Sequence, residues 1–183
     1  MPRTLLGCLL AALAMFVWGA AFWMSSMPQH ALGRTSDDEA AGKALRQLLP
    51  GSGTYIVPSP ANDPETLDKL IRGGPIATIH FHDEGIEPMA PSVFILGYLH
   101  MLAVVILLAA LLGAVRDSLT GYWSRVGFVT VAGFAAAFFA GLNGPIWWHQ
   151  PWAWNLMSAL YEFGAWTAAG LVLAAFSPSS QPD

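Results

Sequence analysis

Apolar residues fill four long segments of this chain, while polar and charged residues concentrate between the first two. The apolar segments cover residues 1–24, 92–115, 126–145 and 152–176. A helix rises about 1.5 Å per residue, so about 20 apolar residues cross the roughly 30 Å hydrocarbon layer of a bilayer. The pattern therefore predicts a membrane α-helical protein with four transmembrane helices.

The second apolar segment, 92–115, carries a single ionisable residue, His100. Pro88 and Pro91 favour an extended chain just before it. Ser92 is a candidate cap for the first turn of the helix. This segment separates the polar insert from the more apolar second half of the chain.

Residues 25–91 form the polar insert, an extracytoplasmic domain for which the pattern predicts the element order α-β-α-β. The first helix begins at a capping box, Ser36 to Glu39, and the second at Asp63-Pro64-Glu65. A domain this small builds only a marginal core, so we expect it to pack on the membrane helices, a second copy or a partner. The predicted elements are a helix over 37–49, a strand over 54–58, a helix over 63–74 and a strand over 75–83.

Composition agrees with a membrane protein and excludes several other classes. The chain is 55% hydrophobic and 11% charged, and its formal net charge of −4 equals that of the insert, which carries five basic and nine acidic residues. The sequence contains no basic footprint for nucleic acid and no polybasic run for anionic lipid. Cys8 is the single cysteine, which excludes an intrachain disulfide.

The third apolar segment carries small residues at every fourth position. Gly133, Ala137 and Gly141 fall at the spacing that lets a neighbouring helix approach closely. We therefore expect this helix to lie centrally in the bundle.

The connection over residues 143–154 is rich in tryptophan and has no Lys, Arg, Asp or Glu. Such a composition is typical of the membrane interface, where indole rings anchor helix ends. The same rings are also an alternative lining for a quinone or lipid pocket. The tryptophans are Trp147, Trp148, Trp152 and Trp154.

The short connections predict the orientation. Arg3, Arg116 and Arg125 lie on one side of the four predicted spans, and the tryptophan-rich connection lies on the other. Because basic residues in short loops stay in the cytoplasm, we expect both termini to be cytoplasmic and residues 25–91 to face outward. The first segment is then a retained signal anchor, with cleavage near Ala31 as the alternative, and 177–183 is a disordered cytoplasmic tail.

Two ionisable residues lie inside the predicted spans at similar depth. His100 is about eight residues from the outer end of the second span and Glu162 about ten from that of the fourth, so both are roughly 12–15 Å deep. Charged groups at this depth are expensive and often functional. We group them, with Tyr98 and Asn155, as an intramembrane polar site. A structural polar contact is the favoured interpretation, and a site for protons, ions or quinone is the alternative.

A second candidate site is the pair His80 and His82 on the last predicted strand. Residues two apart on a strand share a face and can ligate Zn or Cu, although solvated histidines have the same pattern. A b-type haem between His100 and His149 is a further alternative. The chain has no P-loop, catalytic triad order, CxxC or dinucleotide-binding motif, so no cofactor and no enzyme activity is predicted.

Three short motifs carry a resemblance. The runs Gly53-Thr-Tyr-Ile-Val-Pro58, Gly74-Pro-Ile-Ala77 and Gly85-Ile-Glu-Pro-Met-Ala-Pro91 precede a spanning helix. In this the chain resembles uncharacterised bacterial four-span inner-membrane proteins of similar size. The resemblance implies a bacterial origin and the same layout, and no activity or site residue.

These observations favour a non-enzymatic inner-membrane protein that acts as an accessory or assembly subunit of a larger complex. Besides membrane lipid, its expected partner is another membrane protein or a second copy, bound through the extracytoplasmic domain. Ion, proton or quinone handling by His100 and Glu162, and periplasmic metal binding by His80 and His82, are the alternatives.

Overall fold

The computed structural model describes residues 2–177 and divides the chain into two compact units. One unit comprises the residues up to Leu32 and those from Met89 onward, and the other comprises Gly33–Pro88. The predicted tail over 177–183 lies, apart from Ser177, outside the described residues. The helices are α1 Pro2–Trp23, α2 Asp38–Leu48, α3 Pro64–Gly73, α4 Pro91–Ala114, α5 Tyr122–Trp148 and α6 Trp152–Phe176, and the strands are β1 Gly53–Val57 and β2 Ala77–Phe81.

Four helices of the first unit, α1, α4, α5 and α6, are long and apolar enough to cross a membrane. The prediction of a multi-pass membrane protein is thereby confirmed at this level. A short 3₁₀ helix, Pro28–Ala31, follows α1. Backbone N–H and C=O groups are satisfied within a helix, which is the condition for placing a chain in hydrocarbon.

Both ends of α5 and the start of α4 differ from the sequence prediction. α5 begins at Tyr122 and continues to Trp148, with Pro145 inside the helix, whereas the apolar pattern predicted 126–145. Proline removes one backbone hydrogen bond, a loss that membrane helices tolerate. The predicted connection over 143–154 is therefore reduced to three residues, 149–151. Ser92 does not cap α4, because the helix begins one residue earlier with Pro91 in its first turn.

The four long helices pack in the order α4, α1, α6, α5. The most extensive contact joins α5 to α6, followed by α1 with α6 and then α1 with α4, while α4 meets α5 only slightly. The shared core consists of small and medium-sized side chains from all four, including Ala11, Val105, Val129 and Ala169. Of the four helices, α4 is the least buried.

Small residues bring α5 and α6 close together. A Cβ added to Gly133 would overlap the side chain of Trp166, and one added to Gly141 would lie 2.8 Å from the Cβ of Ala159. Ala137, between the two glycines, is buried. Close backbone approach replaces the hydrophobic effect as the main source of helix association in lipid.

The second unit contains two helices and a two-stranded antiparallel sheet. Asp37 caps α2 by accepting a hydrogen bond from the Ala40 N–H, so the cap lies one residue beyond Ser36, which the predicted capping box places at this position. β1 and β2 pair with Tyr55 opposite Ile79. No side chain of residues 33–88 is fully buried, so this unit builds no closed core of its own.

The glycine contact in α5 predicts a clear mutational contrast. Gly133→Leu should lower the free energy of unfolding by about 1–3 kcal/mol, since added volume forces Trp166 aside. Gly127→Leu on the same helix is the matched control, because its added side chain meets open space. Unfolding in a mixed detergent titration measures both. Equal stability of the two variants would contradict the close packing.

The Asp63 cap predicts a local dependence on pH. Its carboxylate accepts a hydrogen bond from the Thr66 N–H, which holds the pKa of Asp63 below its ordinary value. Because the pKa is lower in the folded protein than in the unfolded chain, the ionised Asp63 stabilises the folded state at neutral pH. This stabilisation is lost as the pH falls from about 4, the pKa in the unfolded chain, through the lower pKa of the folded protein. The protection of α3 amides against exchange, relative to their intrinsic rates, should therefore fall on acidification.

Asp63→Asn is the control, because asparagine also caps helices but does not titrate. At each pH the two proteins are compared under identical conditions, so that intrinsic exchange rates cancel. The difference should appear only at acidic pH. An equal response of both proteins would show that the cap carboxylate is not responsible.

Candidate functional site

Glu162 lies on the inner side of α6. At 3.6 residues per turn it shares this side with Asn155 and Ala169, both of which are buried. Its neighbour Tyr161 stacks on Phe22 of α1, with ring centroids 5.7 Å apart. The carboxyl group is half-buried, and no hydrogen bond or ion pair to it occurs within residues 2–177. It is an acidic group inside the bundle without a polar partner among these residues.

His100 lies on the outer side of α4. The inner side of this helix is defined by Val105, Leu108 and Leu112, which are buried. At about 100° per residue, His100 is roughly 140° from Val105 and only about 20° from Leu107, which is 70% exposed. The imidazole is therefore exposed among apolar side chains that also point away from the bundle.

The structure does not bring the four predicted polar residues together. α1 lies between α4 and α6, and no hydrogen bond or ion pair joins His100 to Glu162 within the described chain. The Tyr98 hydroxyl donates to the Leu9 carbonyl at 3.2 Å, and the Asn155 amide donates to the Pro151 carbonyl at 3.0 Å. A proton, ion or quinone site at His100 and Glu162 stays a prediction.

The two histidines of the second unit occupy different positions. His80 lies in β2, where its Nδ1 is 3.0 Å from the Thr54 hydroxyl. His82 lies one residue beyond β2, with Nδ1 2.6 Å from the Glu84 carbonyl oxygen. Asp83, a candidate third ligand, forms an ion pair with Arg46 at 3.3 Å. Between Pro2 and Ser177, no group of three or more His, Cys, Asp or Glu residues is arranged to hold a metal ion.

The four tryptophans belong to helix ends instead of a loop. Trp147 and Trp148 lie in the last turn of α5, and Trp152 and Trp154 in the first turn of α6. Trp154 stacks on Trp23 at the end of α1, with ring centroids 5.7 Å apart. Indole rings thus lie at the ends of α1, α5 and α6. This position agrees with the role at the membrane interface that the sequence suggested.

Arg125 is a residue whose position the sequence did not indicate. It was expected in a charged turn, but it lies in the first turn of α5 and is only 6% exposed. Its guanidinium donates to the carbonyls of Leu119 at 2.9 Å, Ser177 at 3.1 Å and Thr120 at 3.2 Å. These bonds compensate its burial. The sequence signal for the longer α5 was that the chain continues from Tyr122 into the apolar segment without a break.

Three arginines gather at this end of the bundle. Arg125 and Arg116 line a cavity of about 170 Å³, together with Thr4, Leu173 and Phe176. Arg3 donates to the Ala175 carbonyl at 3.1 Å. The guanidinium groups make this end of the bundle electropositive.

No protein-family model, curated protein or solved structure matches this chain. The resemblance to bacterial inner-membrane proteins therefore stays a prediction.

The inner position of Glu162 predicts how its substitution affects stability. An isolated charge inside a spanning helix costs about 2.5–3.5 kcal/mol. Glu162→Gln keeps the shape and removes the charge, so the unfolding temperature at neutral pH should stay the same or rise. Glu65→Gln, in the exposed first turn of α3, is the control. A marked loss of stability in Glu162→Gln alone would reveal a charged partner for Glu162.

Proposed function

We propose that this protein is a non-enzymatic accessory or assembly subunit of a larger membrane complex. It binds another membrane protein or a second copy of itself through the 33–88 unit and through α4. The observation that carries the proposal is that the 33–88 unit buries none of its side chains fully. A folded unit of this kind gains a closed core only when another surface covers it.

Apolar side chains of the 33–88 unit support this proposal. Leu48 at the end of α2 and Ile86 after β2 are 77% and 76% exposed, and Ile71 on α3 is about half exposed. Contiguous exposed apolar surface marks interaction sites in soluble domains. Covering such surface contributes about 25 cal/mol for each Å² removed from water.

The outer side of α4 supports a second contact within the membrane. An imidazole that faces hydrocarbon is costly, and ionisable residues in spans normally face protein or water. A neighbouring helix that offers a hydrogen-bond acceptor removes this cost for His100. His100 and Leu107 are both exposed on that side, which leaves it accessible to such a helix.

We further propose that the protein resides in a bacterial inner membrane with both termini in the cytoplasm and residues 25–91 in the periplasm. The clustering of Arg3, Arg116 and Arg125 at one end of the bundle supports this orientation, since short basic segments remain in the cytoplasm. The acidic 33–88 unit lies between α1 and α4 along the chain, and the proposed topology assigns it to the periplasm.

Mass measurement on the protein purified in mild detergent tests the proposal. We expect a mass above the 19.6 kDa of one chain, as an oligomer or with one partner at fixed stoichiometry. His100→Ala should weaken the assembly roughly tenfold, because an interhelical hydrogen bond contributes about 1–2 kcal/mol. Leu48→Asn should also weaken it.

Ile106→Ala is the matched control for His100→Ala. Ile106 is exposed on α4 but lies about 120° from His100 around the helix. Its replacement should leave the assembly intact. A wild-type protein that is stable and strictly monomeric over the accessible concentration range would overturn the proposal.

A further inference from the structure

The arginine-lined cavity combines features of an anion site with access to lipid. A single water needs a cavity of about 10–15 Å³, so one of about 170 Å³ can hold a polyatomic anion. Arg125 forms part of its wall and is more than nine-tenths buried. Arg116 is largely exposed at the same cavity and has Asp117 at 3.5 Å.

Arg125 brings a full positive charge to this cavity. Its three hydrogen bonds go to neutral carbonyl groups, and within residues 2–177 no carboxylate pairs with it. A guanidinium has five N–H donors, of which these bonds use three. Arginine in this state is well suited to phosphate, which accepts charge-assisted hydrogen bonds from a planar fork.

An open apolar groove begins beside the cavity. The groove runs between α1 and α6, has a volume of about 790 Å³, and is lined by residues such as Leu13, Val17 and Leu171. Phe176 lines both the groove and the cavity. Along α6 the groove lining extends from Phe176, beside the cavity, to Ala168, a rise of about 12 Å. This rise lies within the depth that one leaflet, half of the roughly 30 Å hydrocarbon layer, provides for an acyl chain.

We propose that the protein binds one anionic phospholipid at this end of the bundle. The phosphate of the head group lies against Arg125 and Arg116, and one acyl chain occupies the groove between α1 and α6. A free phosphate ion would use the cavity and leave the groove empty. The cavity and the groove adjoin at Phe176, and the four long helices suit a bilayer. We therefore identify the ligand as a phospholipid and not as a free phosphate ion.

Native mass spectrometry of the full-length protein with added lipid tests this assignment. Phosphatidylglycerol should be retained at one molecule per chain, and phosphatidylcholine of the same chain length should be retained several-fold less. Arg116→Gln should weaken retention of phosphatidylglycerol roughly tenfold, as expected for a lost charge-assisted hydrogen bond. Arg3→Gln removes the same charge from the same end of the bundle, outside the cavity lining, and should have a clearly smaller effect.

The groove is tested separately. Ala168→Phe fills it and should lower the affinity for phosphatidylglycerol, whereas Ala136→Phe, on the exposed side of α5, should not. Three results would overturn the assignment: equal retention of the two lipids, equal effects of Arg116→Gln and Arg3→Gln, or equal effects of Ala168→Phe and Ala136→Phe. Thermal stabilisation by inorganic phosphate alone that matches the effect of phosphatidylglycerol would assign the cavity to the free ion and overturn the lipid site.

Discussion

Close contact between helix backbones is the interaction on which this bundle depends. In hydrocarbon, burying one apolar side chain against another gains little over leaving it in lipid, so helices associate through shape and through hydrogen bonds. Gly164 receives the indole of Trp18, and Gly133 receives that of Trp166. At the first of these contacts, the Trp18 N–H also donates to the Tyr161 carbonyl at 2.9 Å. These contacts between tryptophan rings and glycine backbone thus hold α6 between α1 and α5.

The sequence was most informative about where the helices lie along the chain and least informative about which side of each helix faces the bundle. Four long apolar runs predict four spans because the bilayer sets a minimum length. In the polar unit Asp63 marks a helix start as predicted, while the first helix is capped by Asp37, one residue after the predicted cap Ser36. The ends of α5 were harder to predict. A proline and a charged residue normally mark a boundary, but here Pro145 loses one hydrogen bond and Arg125 finds carbonyl partners.

The candidate polar site shows the same limit. Counting residues from the helix ends gives the depth of His100 and Glu162, because rise per residue is constant. The count does not show toward which side of the helix a side chain points. α4 is apolar on all sides, so no amphipathic pattern identifies its inner side. Only the packing against α1, at positions such as Phe94, Tyr98 and Val105, shows that His100 points outward.

Arg125 shows why orientation and packing are linked in this protein. Counted as a positive charge, it favours the cytoplasmic side for this end of the bundle in the orientation proposed above. Through its hydrogen bonds it also ties the turn between α4 and α5, at Leu119 and Thr120, to the end of α6 at Ser177. Leu119 and Thr120 belong to the same connection as Arg125, so the bond to the Ser177 carbonyl is the one that joins separate helix ends. The side chain that favours one orientation in the proposed topology is therefore also the one that closes this end of the bundle.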